Sequence, residues 1–144
     1  MNSTSADLLA RHKEVVLQLY SECWNAADFT NMTELMNPKI TFNARGKTHQ
    51  MMAEDLIDIV ARWREGFPDF RFEVDDLVAE GDRVAARVSY TGTHKGEVLG
   101  IDPTGRKVHV HEMMFFRMEN ERIAEVWEVP DRYSLRSQLL QDDE

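Results

Sequence analysis

The amino-acid sequence predicts an α+β fold, with helices covering one side of a curved antiparallel sheet, and three observations carry the prediction. Apolar residues recur at three- and four-residue steps from Leu8 to Trp63, the spacing of helix faces turned to a core. After Asp69 the period changes to two, the mark of half-buried strands. No repeat, low-complexity stretch or internal linker interrupts the order of helices first and meander second, which argues against alternating βαβ units.

The elements follow in order. Leu8, Leu9, Val15, Val16, Leu19, Tyr20 and Cys23 mark one face of a long helix from Ala6 to Ala27. Thr30 is placed to cap a short second helix carrying Met32, Leu35 and Met36, and Pro38 is expected to stop it before a brief strand, Ile40 to Asn43. A turn at Ala44-Arg45-Gly46 leads to a third helix on Met52, Leu56, Ile59, Val60 and Trp63, which ends at Gly66-Phe67-Pro68-Asp69. Phe70, Phe72 and Val74 then line one strand. Val84, Ala86, Val88 and Tyr90 line the next, across the turn Glu80-Gly81-Asp82. A glycine-rich loop, Gly92 to Gly105, precedes the strand HVHEMMFFRM, and a turn near Asn120 precedes a last strand, Ile123 to Val129. A closing helix from Asp131 carries Leu135, Leu139 and Leu140.

The 144 residues read as one domain, 1–144, with an ordered core from about 6 to 140 and frayed ends that include Gln141 to Glu144. Seventeen Lys+Arg against 26 Asp+Glu give a net charge of -9, which argues against a nucleic-acid partner. Cys23 is the single cysteine, so no internal disulfide and no cysteine-based metal cluster can form. A reducing cytoplasm is expected. The first residues lack the pattern of a signal peptide, and no run approaches the ~20 apolar residues of a membrane span.

The chemistry centres on carboxylates. Glu112 shares the even-numbered face of its strand with Met114 and Phe116, and Glu128 follows Ala124 and Val126 in the last strand. A three-residue hairpin loop, Glu119 to Glu121, would set Glu112 opposite Glu128 and gather the apolar residues into one patch, and this register is preferred. A two-residue loop would instead set Glu128 opposite Met113, beside His111. Two carboxyls in an apolar hollow cannot both ionise cheaply, so one holds a proton while the other accepts one, the equipment of metal-free acid/base chemistry. The bland alternative is a wet sheet face with solvated glutamates.

Other residues carry two readings each. Asp131 is either a helix cap or a catalytic acid. His109 and His111 have zinc-like spacing, yet Glu112 points the other way and no third ligand is evident, so no metal is expected. His94 either overhangs a pocket or bonds a loop backbone. Trp24, Trp63, Phe67, Tyr90 and Trp127 suffice to wall a cavity for a flat ligand, or are plain core. The glycines of GTHKGEVLGIDPTG do not make a phosphate loop.

The run FPDFRFEVDDLVAEGDRVAARVSYTGTHKGEVLGIDPTGRKV, followed by an aromatic-Arg strand and RIAEVWEVPD, resembles the SnoaL-like polyketide cyclase family over most of the chain. The resemblance implies a nuclear-transport-factor-like cone, helices and bent sheet around an apolar pocket, in a homodimer. It implies intramolecular aldol ring closure of an aromatic polyketide ester by side-chain acid/base catalysis without a cofactor. Glu128 stands where the family cyclases keep their catalytic aspartate, Met114 where they have a histidine and Glu112 where they have a glutamine. Trp127-Glu128 and His111 are similar to the Trp-acid pair and the histidine of hydroxylase-like relatives. The expected ligand is therefore a small apolar or aromatic molecule, with Met114, Phe116, Trp127 and His94 joining the aromatics around it. A protein that holds such a ligand without converting it is the other reading.

Overall fold

The computed structural model describes residues 4–141. The expected fraying of the ends falls mostly on residues outside that range. Helix α1, Ser5–Gln18, starts at a reciprocal cap: the Asp7 backbone N–H donates to the Thr4 hydroxyl at 3.1 Å, and the Thr4 N–H donates to the Asp7 carboxylate at 3.4 Å. At Leu19 the helix widens into a π-helical stretch, Leu19–Asn25, that turns Leu19, Tyr20 and Cys23 into the core. The Arg64 guanidinium donates to the carbonyls of Trp24 and Asn25, satisfying acceptors that the end of a helix leaves free.

Three local expectations are corrected here. Thr30 does not cap the second helix: its hydroxyl donates to Asp28 at 2.6 Å, and Asn31 holds the capping position of α2, Met32–Leu35. Pro38 does not end that helix, because strand β1 already begins at Met36 and runs to Ala44. Proline is tolerated there because the ladder to β6 is interrupted between Met36 and Thr41. Met52 belongs to an unforeseen strand, β2, Lys47–Met52, joined to β1 by a hairpin with Arg45 and Gly46 in the left-handed region. Helix α3, Asp55–Gly66, follows.

The meander forms as its period requires. Strands β3, Arg71–Glu80, and β4, Arg83–Thr93, pair antiparallel with Phe72 opposite Tyr90 and Val74 opposite Val88. Strand β5, Lys107–Glu119, lies on the other side of β4, and β6, Arg122–Val129, on the other side of β5. The six strands form one curved, unclosed sheet in the order β2-β1-β6-β5-β4-β3. One pairing departs from the antiparallel expectation. Strand β6 returns beside β1 running parallel to it, with Phe42 opposite Val126 and Ala44 opposite Glu128. The helices and the concave face of the sheet enclose the core, in which Val15, Val16, Ile40, Val88 and Val110 have no exposed surface. Helix α4, Arg132–Leu140, buries Leu135 and Leu139, whereas Leu140, expected to join them, is exposed.

The β5–β6 hairpin has neither of the two registers considered. Its loop is the two residues Asn120 and Glu121, both in the left-handed region, and Glu119 faces Arg122. A bulge then inserts one residue between the Met118–Ile123 and Arg117–Glu125 pairs, leaving Ala124 over and Ile123 and Ala124 both buried. From there on Phe116 faces Val126 and Met114 faces Glu128. Glu112 would face Pro130, beyond the end of β6, so the two glutamates are diagonal rather than direct neighbours.

Candidate active site

A cavity of about 460 Å³ opens between the concave face of the sheet, the π-helical stretch and α3. Glu112 and Glu128 both line it, together with Tyr20, Met114, Phe116 and Val126. Strand alternation explains the selection: residues of one parity on β5 and, past the bulge, on β6 point inward. Aromatic side chains make the wall. Trp24 packs edge-on against Phe72 with centroids 5.1 Å apart, Phe70 stacks on Tyr90 at 5.0 Å, and Trp63 lies 5.8 Å from Tyr90. The wider π-helical turn brings both Tyr20 and Trp24 to this wall.

The two carboxyls sit in unlike fields. Burial, and after it the charge of Glu128, push the Glu112 carboxyl up from 4.5 to about 8. Burial raises Glu128 as well, but the guanidinium groups of Arg132 and Arg45 pull it back. Of the two, Glu112 therefore holds its proton more firmly. The Tyr20 hydroxyl donates to the Met114 sulfur at 2.7 Å; burial first, then the two glutamates, raise its pKa well above the usual phenol range. Tyr90 is raised for the same reasons, so both phenols remain donors. The site thus gathers two carboxyl groups, one of them with a strong hold on its proton, and two hydroxyls within an apolar wall, a set suited to proton transfer.

Of the residues singled out in the sequence, Trp24, Trp63, Tyr90, Met114, Phe116, Glu112 and Glu128 meet in the cavity. Others lie elsewhere. Phe67 is fully buried behind the wall, stacked on Trp63 at 6.1 Å. His94 has no exposed surface and does not overhang the pocket: its Nδ1 accepts the Thr104 backbone N–H at 3.1 Å and lies 2.9 Å from the Thr104 hydroxyl, fixing the glycine-rich loop. His111 and Trp127 are on the outer face, because their parity is opposite to that of Glu112 and Glu128; Arg83 lies over the Trp127 ring at 4.9 Å. Asp131 caps α4, accepting the Ser134 N–H at 2.9 Å, and does not line the cavity. His109 and His111 have ring centroids 4.7 Å apart, and among the described residues no group of three or more His, Cys, Asp or Glu is placed to hold a metal. Among the described residues no helix is long and apolar enough to cross a membrane.

Several lining residues had no distinguishing mark in the sequence. Tyr20 read as helix core, and Phe42 and Met51 lay in or beside strands that were too short or missed. Arg45 and Arg132 looked like a turn residue and a surface helix residue. Only the placement of Arg132 four positions after Glu128 hinted at its role.

An open sheet wrapped by N-terminal helices around a carboxyl-bearing cavity defines an α+β protein of the pocket-forming class. Within that class the chain belongs to the SnoaL-like polyketide cyclase family, whose model matches residues 14–139. No curated protein matches the chain. Among solved structures it is similar to AclR of Streptomyces galilaeus, described as "a putative hydroxylase", at 29% identity and TM-score 0.80 over 94% of this chain and 86% of that one. It is also similar to IdmH of Streptomyces antibioticus, described as "a putative polyketide cyclase", at 27% identity and TM-score 0.79, covering 89% of this chain and 97% of that one. A protein from Acidithiobacillus ferrooxidans shares the fold at TM-score 0.82 and 24% identity, over 99% of this chain and 100% of that one.

Proposed function

We propose that the protein is a cofactor-independent acid/base enzyme of the cyclase type, acting on a flat, apolar, ketone-bearing molecule. The observation that carries this reading is the pair of carboxyls, Glu112 and Glu128, that line one apolar cavity in unlike charge environments. Glu128 removes a proton from the carbon next to a carbonyl. The Glu112 carboxylic acid donates a hydrogen bond to the oxygen that becomes the enolate, where a neutral donor in an apolar site is most effective. In an aldol closure the enolate carbon attacks a second carbonyl of the same molecule, and the resulting alkoxide takes back the proton held by Glu128. The wall of Trp24, Trp63 and Tyr90 holds the ring system flat.

A hydroxylase-like activity has the likeness to AclR in its favour. Against it, His111 and Trp127 face away from the cavity. Screening aromatic polyketide acids and their esters for ring closure under argon and under air separates the two, since only the hydroxylase needs oxygen. Once a substrate is found, Glu128→Gln is expected to lower kcat by about 10²–10⁴-fold. A folded Glu128→Gln variant that turns over the substrate at the native rate removes this assignment.

The protein is further proposed to work as a homodimer through the outer face of the sheet. Met113, Phe115 and Val129 are 61%, 52% and 70% exposed there, an apolar patch of the kind that buries itself against a partner.

A further inference from the structure

The mouth of the cavity carries a charge opposite to that of the molecule. The chain bears 17 Lys+Arg against 26 Asp+Glu. Yet the exposed charged residues that line the cavity are Arg45, Lys47, Arg62 and Arg132, with Glu97 alone on the acidic side. They come from separate places in the fold. Arg45 and Lys47 stand on the β1–β2 hairpin, Arg62 on α3 and Arg132 at the start of α4, so no single solvated helix face accounts for their convergence. Glu97 is committed to its own loop, its carboxylate accepting the Gly100 N–H at 2.5 Å. Among the described residues Arg45, Lys47, Arg62 and Arg132 form no ion pair; their charges are open to the cavity entrance. Arg45 and Arg132 line the same cavity as Glu128, and their charges act on its carboxyl.

We infer that the ligand carries a carboxylate, which Arg45 and Arg132 receive at the mouth while its ring system enters between Trp24 and Trp63. The inference rests on the cavity being the ligand site and adds the substrate class: a free aromatic keto acid rather than its neutral ester. Guanidinium groups suit the role because each presents a planar fork of donors that matches both oxygens of a carboxylate. A cationic mouth in an anionic protein also focuses the field and draws an anion towards the cavity.

The test uses the full chain and two matched probes, anthraquinone-2-carboxylate and its methyl ester, with binding followed by calorimetry. Wild-type protein is expected to bind the acid about tenfold more tightly than the ester at low salt, with the preference shrinking as ionic strength rises. The double variant Arg45→Gln/Arg132→Gln is expected to lose about tenfold in affinity for the acid while the ester stays within about twofold, which also shows that the cavity is still formed. Ester bound as tightly as acid by the wild type, or an acid preference that survives in the double variant, overturns the inference and leaves the cavity reading standing. Failure to bind either probe counts against both.

Discussion

Replacing Glu112 with glutamine is expected to make the protein more stable at alkaline pH, by an amount that grows with pH. In the folded state the Glu112 carboxyl is raised from 4.5 to about 8, chiefly by burial. Below about pH 4.5 the group is protonated in both folded and unfolded chains and does not affect the balance. Above it the unfolded chain releases the proton and the folded chain keeps it, so the unfolded state gains and wild-type stability falls. The fall continues until the folded group ionises near 8, and beyond that it levels off. At about 1.4 kcal/mol for each pH unit, the displacement corresponds to at most about 5 kcal/mol. Water entering the cavity and the charge shared with Glu128 reduce this, and a difference of about 2–3 kcal/mol between the two proteins is expected to develop. Urea denaturation of wild type and Glu112→Gln from about pH 5 to about pH 9 measures it directly. A difference that stays constant to within about 0.5 kcal/mol over that interval would refute the burial of a protonated carboxyl at this position.

Three further substitutions probe the frame around the cavity. Asn25→Ala removes side-chain bonds to both the N–H and the carbonyl of Phe72, at 2.8 and 2.9 Å. It is expected to cost about 2–3 kcal/mol in chemical denaturation, since two half-buried backbone groups lose their partners. Gly96→Ala would place a methyl group 2.2 Å from the Glu65 carbonyl oxygen, forcing the glycine-rich loop off the end of α3. A loss of about 2–4 kcal/mol is expected, read as a lowered Tm. Phe115→Glu puts a charge in the exposed apolar patch and is expected to weaken dimerisation by about tenfold or more in sedimentation, leaving the far-ultraviolet spectrum unchanged.

The parts of this fold that were legible in the sequence are those where one periodicity acts alone. Val84, Ala86, Val88 and Tyr90 alternate cleanly because the other face of β4 is more polar, and Val15, Val16 and Leu19 repeat as a helix must. Strand β2 escaped notice because Lys47–Met52 is almost wholly exposed and offers no apolar alternation. The hairpin register was hidden for a different reason. Ile123 and Ala124 are both apolar and both buried, so nothing in the residue types says that a bulge sits there, and each added residue moves every later partner by one. The two acids were nevertheless found, because the bulge shifts partners along β6 and leaves Val126 and Glu128 facing inward. Trp127 and His111, suggested by likeness to hydroxylase-like relatives, obey the same alternation and are carried outward by it. The arginines at the mouth were invisible for want of any pattern: exposed basic residues look alike until the fold collects them.

The amide side chains of Asn25 and Gln138 have one more consequence. A sheet that does not close on itself leaves raw borders, at the outer side of β3 and along the part of β5 that β6 does not reach. Asn25 closes the first at Phe72, and Gln138 closes the second by accepting the His109 N–H and donating to the His109 carbonyl, each bond 2.8 Å long. A carboxamide is chemically a peptide group on a tether, so each acts as a one-residue strand that satisfies the border without extending it. Slow hydrolysis of either amide to an acid during storage would keep the acceptor and lose the donor, setting a negative charge against a carbonyl oxygen. Ageing of this protein would then begin as unravelling at the hem of the sheet, at Phe72 in the cavity wall and at His109 outside it.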